Sequence, residues 1–246
     1  ENYVSLASSQ LNWTNQKIKK NLGLIFDNEA NLRVTSISID EKSRSDTSNI
    51  RFYPQLSSKI SYPLLKSSSF FNQTVTPIIM PIIAPYNNYT GAQDVTNSNL
   101  FSTNRATSIS EWESGPRINY GIEWFINSEK GTDIRTVIGQ NYRFNKLRDD
   151  TSREISDYFI NSNININLEN YLDGSLIIDR DDLKIRSLNA NSFNRLGDLI
   201  FAINYDYTSG KYNTSAEQIA VGGKYELENN LFINFTGAKN LDTNKN

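Results

Sequence analysis

Between Arg117 and Asn127 the chain alternates. Ile118, Tyr120, Ile122, Trp124 and Ile126 fall at one parity, and Arg117, Asn119, Gly121, Glu123 and Asn127 at the other. A period of two describes a strand with one apolar and one polar face. The pattern recurs in 163–169, where Ile164, Ile166 and Leu168 oppose Asn163, Asn165, Asn167 and Glu169. It recurs again in 199–207 (Leu199, Phe201, Ile203, Tyr205, Tyr207) and in 218–227 (Ile219, Val221, Tyr225, Leu227). No window of about ten residues carries a helical period.

The alternation rule predicts about thirteen strands, near 2–12, 17–26, 30–40, 49–64, 72–84, 113–128, 132–145, 155–168, 172–180, 183–191, 196–207, 216–227 and 230–239. Short connections are expected at 27–29, after Lys66, and at 129–131, 169–171 and 228–230, with longer ones at 41–48, 85–112, 146–154 and 208–215. Trp13 to Gln16 and Arg180-Asp181-Asp182 are tight where this parity calls for a long loop. Two strands break phase, at Leu32/Val34 against Ile37/Ile39 and at Leu183/Ile185 against Leu188/Ala190. One extra residue in a β-bulge would restore the facing of each. Pro81, between Pro77 and Pro85, cannot donate to a ladder, so a local break in pairing is expected there.

Many of these runs approach the roughly 9 to 11 residues with which a tilted strand crosses a bilayer, and alternating short and long connections suit an outer-membrane barrel. A soluble β-sandwich or β-solenoid also alternates, but a solenoid needs a fixed repeat of about 20–50 residues, which is absent. Aromatic and β-branched residues near strand ends, opposite a face of Asn, Ser, Asp, Lys and Arg, favour the membrane barrel. The longest apolar stretch, Pro77 to Pro85, is far shorter than the ~20 residues of a membrane helix.

Composition narrows the chemistry. The 246 residues are only 37% hydrophobic yet 11% aromatic, with 13 Tyr and 12 Phe, and mean hydropathy is -0.53. Disordered chains are poor in aromatics, whereas strands that are polar at every second position give this balance. Cysteine and histidine are both absent, which removes disulfides, thiolate metal sites and the commonest general base. A net charge of -2 gives no sign of nucleic-acid binding. Asp149-Asp150, Asp181-Asp182 and Glu111 with Glu113 are paired carboxylates, read as solvated turns; no catalytic, cofactor or metal residue is assigned. The chain opens at Glu1 without an initiator Met or signal peptide and closes on a polar turn, which reads as an internal stretch of a longer protein. Alone, such a stretch is expected not to fold, because an open half-barrel has two unpaired edges.

The block Asn99-Leu100-Phe101-Ser102, Asn104-Arg105, Glu113, Gly115, Arg117, Asn119-Tyr120-Gly121, then Ile138-Gly139-Gln140 and Tyr142-Arg143, resembles the barrel of the lipopolysaccharide-assembly outer-membrane proteins. This is the LptD family, also called OstA or organic solvent tolerance protein. Asn31-Leu32-Arg33, Arg51 and Pro54, Tyr62-Pro63-Leu64, Thr76-Pro77 and Ala84-Pro85 resemble its successive strands. Where members carry Arg-Phe-Ser-Gly-x-Asp-Arg-x-Glu, this chain reads Arg105 to Glu113 with Ser108 for the Gly and Ser110-Glu111 for the Asp-Arg pair.

The resemblance implies an all-β, antiparallel up-and-down transmembrane barrel in the outer membrane of a Gram-negative bacterium. Residues 1–246 would be one barrel domain and part of a larger barrel, with a long loop at 85–112. It also implies lipopolysaccharide as cargo, outer-membrane lipids as surroundings and a lipoprotein plug of the LptE type in the lumen. The periplasmic transport bridge would be reached through an N-terminal domain outside these residues. No enzyme activity is implied, and the matched residues are structural. Lumen-facing positions would be Arg117, Asn119, Glu123, Arg135, Asn141, Arg143, Asn204 and Lys224. An Arg105–Glu113 pair is expected to pin the long loop, at the 0–1 kcal/mol or so of a surface pair. A general porin or adhesin barrel, or a soluble β-rich carbohydrate-binding module, are the alternatives.

Overall fold

A computed structural model describes residues 3–41, 44–86, 99–105, 112–128, 131–144, 154–167, 169–210, 215–227 and 231–241. They form β1 (Tyr3–Lys19), β2 (Leu24–Glu41), β3 (Arg44–Ser61), β4 (Leu64–Ser67), β5 (Phe71–Ile83), β6 (Arg117–Ser128), β7 (Asp133–Arg143), β8 (Tyr158–Asn167), β9 (Asn170–Ile178), β10 (Ile185–Leu196), β11 (Leu199–Thr208), β12 (Ala216–Glu226) and β13 (Phe232–Asn240). The strands follow one another in a single 13-stranded sheet of order β1-β2-β3-β5-β6-β7-β8-β9-β10-β11-β12-β13, with β4 also paired to β5. The chain is therefore all-β with the up-and-down connectivity of a membrane barrel. No helix among the described residues is long and apolar enough to cross a membrane.

The expected number of strands is met through two offsetting differences. The three strands expected at 2–12, 17–26 and 30–40 are two, β1 and β2, paired without interruption from Tyr3–Asp40 to Lys19–Leu24. Trp13–Gln16 and Asp27–Glu29, expected as turns, lie inside these strands. Their polar side chains fall on both faces of the strand pair, Gln16 opposite Asp27 and Asn15 opposite Asn28, a polar run that a turn rule misreads. The turn is a 3-10 segment at Lys20–Leu22, closed by Gly23 at φ 67, whose N–H donates to the Lys20 carbonyl at 3.3 Å.

Conversely, the strand expected at 49–64 is divided at Tyr62-Pro63, because Pro63 has no N–H to give. Pairing keeps the same offset across the gap, from Ser61–Ile78 to Leu64–Val75. The long connection expected at 41–48 is instead strand on both sides, since β3 begins at Arg44.

One bulge falls where expected, as the β9–β10 register shifts between Ile185 and Ser187. The other does not, because β2 keeps its register with β1 through Val34–Ile37 and shifts against β3 only between Ile39 and Glu41. The β3–β5 pairs fall on either side of Pro81, as Leu56–Ile83 and Ser57–Ile82, then Ile60–Ile79 and Ser61–Ile78.

The chain divides into two compact units, Glu1–Tyr62 with Ile78–Tyr120 and Asn141–Ser156, and Pro63–Pro77 with Gly121–Gln140 and Asp157–Asn246. In the first, the buried side chains include Tyr53, Ile78, Met80 and Ile82 but also many polar ones, and large apolar side chains are exposed. Polar Asn31, Thr35, Gln55, Ser57, Arg117, Asn119 and Asn141 are buried, while Leu32, Ile50, Phe52, Leu56, Ile79 and Ile83 are exposed. In the second unit Ile122, Trp124, Ile138, Leu172 and Phe232 are likewise exposed.

Candidate functional site: a buried arginine cluster

Asn99–Arg105 and Trp112–Pro116 cover the polar face of the first unit. Asn99 opens a turn, its carbonyl accepting from the Ser102 N–H at 3.0 Å, and Leu100 is buried. Polar contacts follow, with one ring stack among them. Thr103 bonds the Ser57 hydroxyl at 2.9 Å and donates to the Glu29 carboxylate. Gln55 Nε2 donates to the Glu113 carbonyl at 2.8 Å, and Asn104 Oδ1 accepts from the Glu113 N–H at 3.0 Å. Trp112 stacks on Tyr53, with centroids 6.2 Å apart, and the Arg33 guanidinium lies 4.8 Å over the Trp112 ring. Gly115, at φ 81, leaves no room for a side chain, because a Cβ would meet the Tyr86 ring at 2.8 Å.

These contacts anchor the main chain of Glu113, and three arginines meet its carboxylate. Arg105 donates through Nε at 2.8 and 3.1 Å and through Nη2. Arg117, at the start of β6, is 3.1 Å away, and Arg143, at the end of β7, is paired through Nη2. Arg117 also donates to the carbonyls of Thr103 and, at 3.3 Å, Gly115. Below it Asn141 Nδ2 donates to Asn119 Oδ1 at 2.5 Å. Glu113 lies outside the strands. Burial opposes its ionisation, but Arg105, Arg117 and Arg143 outweigh that and hold its pKa below the ordinary 4.5. A carboxylate so held stays charged and is a poor proton donor or acceptor near neutrality.

The Arg105–Glu113 pair expected from the sequence is thus present, but as part of a buried network and not as a surface pair. The expected lumen positions separate. Arg117, Asn119, Asn141 and Arg143 are buried, whereas Glu123 and Arg135 pair at 2.8 Å with partly exposed side chains. Lys224 pairs with Glu226 at 2.8 Å, and Asn204 is exposed.

Of the other matched positions, Phe101 and Tyr142 are half-buried, Tyr120 is exposed, and Gln140 is buried. Gly121 and Gly139 serve strand contact, since a Cβ on Gly121 would stand 2.9 Å from the Gly139 Cα and closer still to the Ile138 carbonyl. Sequence reasoning did not single out Gln55, Ser57, Thr103 or Tyr53. For Gln55, Ser57 and Tyr53 the signal is the parity of β3 opposite its exposed Phe52 and Leu56, whereas Thr103 lies outside the strands.

Asp181 and Asp182 belong to a turn in which both N–H groups donate to Asp179 Oδ1, at 2.9 and 3.4 Å. Asp149, Asp150 and Glu111 lie outside the described residues. Among the described residues no group of three or more acidic, His or Cys side chains could hold a metal.

A sequence profile of the family described as LPS transport system D, LptD, matches residues 8–231. No curated protein matches the chain.

Proposed function

Because the chain belongs to the LptD family of lipopolysaccharide transport and assembly proteins of the outer membrane, we propose that residues 1–246 are part of the barrel wall of the translocon that inserts lipopolysaccharide into the outer leaflet. In this reading the work is transport and not catalysis. Exposed apolar faces such as that of Tyr120, Ile122 and Trp124 meet outer-membrane lipid. The polar face borders the lumen, where a lipoprotein plug of the LptE type would sit, and cargo reaches the barrel from the periplasmic bridge through an N-terminal domain outside these residues. The matched residues Asn99 to Arg143 act as scaffold.

The observation that carries the reading is the burial of polar strand residues opposite exposed apolar ones. Leu32, Phe52, Leu56, Ile83, Ile122 and Trp124 are exposed while Arg117, Asn119 and Asn141 are excluded from solvent. In water that arrangement would leave large apolar side chains facing solvent, and in lipid it is the stable one.

Single cysteines test it in the full-length protein, this chain having none of its own. Cysteine at Ile122 or Trp124 is expected to resist a membrane-impermeant maleimide in intact outer membranes and to be quenched, once fluorescently labelled in detergent and reconstituted, by a lipid-borne quencher. Cysteine at Asn204 is expected to be labelled by the aqueous reagent after lysis and to escape the quencher. Fast aqueous labelling of position 122 would overturn the reading.

A further inference from the structure

The cluster around Glu113 has more positive charge than its single carboxylate neutralises. Arg105, Arg117 and Arg143 each contact Glu113, so among the described residues three positive charges meet one negative and leave two over. The hydrogen bonds are unbalanced in the same sense. The two oxygens of Glu113 take the guanidinium contacts to it, while Arg105 Nη1 and Arg117 Nε, both buried, have no partner among the described residues. The other acceptors bonded to these arginines among the described residues are the neutral carbonyls of Thr103 and Gly115.

Guanidinium forks suit tetrahedral oxyanions at least as well as carboxylates. A phosphate group brings about two negative charges near neutrality, and its additional oxygens would reach N–H groups that a carboxylate leaves unbonded. We propose that Arg105, Arg117 and Arg143 form an oxyanion seat for a phosphate-class group, held in this structure by the Glu113 carboxylate as an internal stand-in. The main chain of Glu113 is anchored through Gln55 and Asn104, so exchange needs the carboxylate to swing away and not the backbone to leave. A cavity of about 380 Å³ lined by Glu29, Arg33, Thr103, Asn104 and Trp112 adjoins the segment that carries Arg105. The inference goes beyond the barrel reading and is tested separately from it.

The experiment is phosphate binding to the purified full-length protein, by equilibrium dialysis at fixed ionic strength with chloride as the balancing ion. Saturable binding is expected in the wild type. Glu113→Gln, which removes the competing charge but keeps the shape, is expected to bind about tenfold more tightly, and Arg143→Gln in the wild-type background about tenfold more weakly. Should Glu113→Gln fail to fold, the Arg143→Gln comparison and its partial recovery in Arg143→Lys decide the matter.

A parallel arm replaces inorganic phosphate by a phosphorylated glycolipid and its dephosphorylated form in detergent micelles. Binding of inorganic phosphate assigns the seat to the free ion. Binding of the phosphorylated lipid alone assigns it to a headgroup. Absence of both, binding indifferent to Arg143, or Glu113→Gln folded and binding no more tightly than wild type would overturn the proposal.

Discussion

Glu113 Oε2 stands 3.1 Å from Nη2 of Arg117, and the two side chains retain 1% and 0% of their exposure. Between them lies Gly115 at φ 81, its N–H donating to the Pro85 carbonyl at 3.1 Å, so the covering segment joins β6 through a tight turn with the charge contact beneath it. An ion pair in this position differs in kind from a surface pair. Desolvating either partner alone is expensive, and the attraction between them acts with little screening.

Removing the carboxylate strands the arginines. Glu113→Gln is expected to cost about 3–5 kcal/mol of stability, because it leaves buried guanidinium charge without its counter-ion. Glu123→Gln breaks the partly exposed pair with Arg135, where side-chain exposures are 27% and 58%, and is expected to cost less than about 1 kcal/mol. Urea unfolding of the two variants beside the wild type measures the difference, and equal costs would mean that the Glu113 cluster is solvated.

Acid should act through the same carboxylate. The folded-state pKa of Glu113 lies below the ordinary 4.5, so its contribution is fully present above that value and is lost as pH falls toward and through the lower, folded one. The difference in melting temperature between wild type and Glu113→Gln is therefore expected to be flat from about pH 7 to about pH 5 and to narrow on further acidification. A gap that narrowed already near neutrality would contradict a depressed pKa.

Backbone contact between β6 and β7 supplies a third expectation. A Cβ on Gly121 would meet backbone, 2.9 Å from the Gly139 Cα, whereas one on Gly237 would meet nothing within 4 Å. Gly121→Ala is expected to destabilise by about 1–3 kcal/mol through overpacking, and Gly237→Ala to stay within about 0.5 kcal/mol of wild type. Thermal unfolding of the two variants makes the comparison.

The alternation of Ile118 to Ile126 and of Leu199 to Tyr207 was readable because a period of two survives whichever solvent the apolar face meets. Strand ends were less readable where polarity had two meanings. Asp27-Asn28-Glu29 resembles a turn and lies instead within β2, with Asp27 and Glu29 on one face and Asn28 on the other, while Gly23 in its left-handed conformation marks the real one. In the site, a pair between Arg105 and Glu113 was expected, at the strength of a surface contact. Nothing local announced that Arg117 and Arg143 meet the same carboxylate, or that Gln55 and Thr103 lie beside it. The polar face of a strand has the same pattern whether water or another segment covers it, so burial of that face has no periodic signature.

The exposed apolar face gives the last expectation. Ile122 is 49% exposed on β6, at the same parity as Trp124. If that face meets lipid, Ile122→Arg places a charge in hydrocarbon and costs about 2–4 kcal/mol near the bilayer midplane. Asn204→Arg, on the polar face of β11, is expected to change stability by no more than about 0.5 kcal/mol. Urea-titrated folding of the full-length protein into phosphatidylcholine vesicles measures both. A face in water would tolerate arginine at position 122 as readily as at 204, so equal and small effects at the two positions would remove lipid as its solvent.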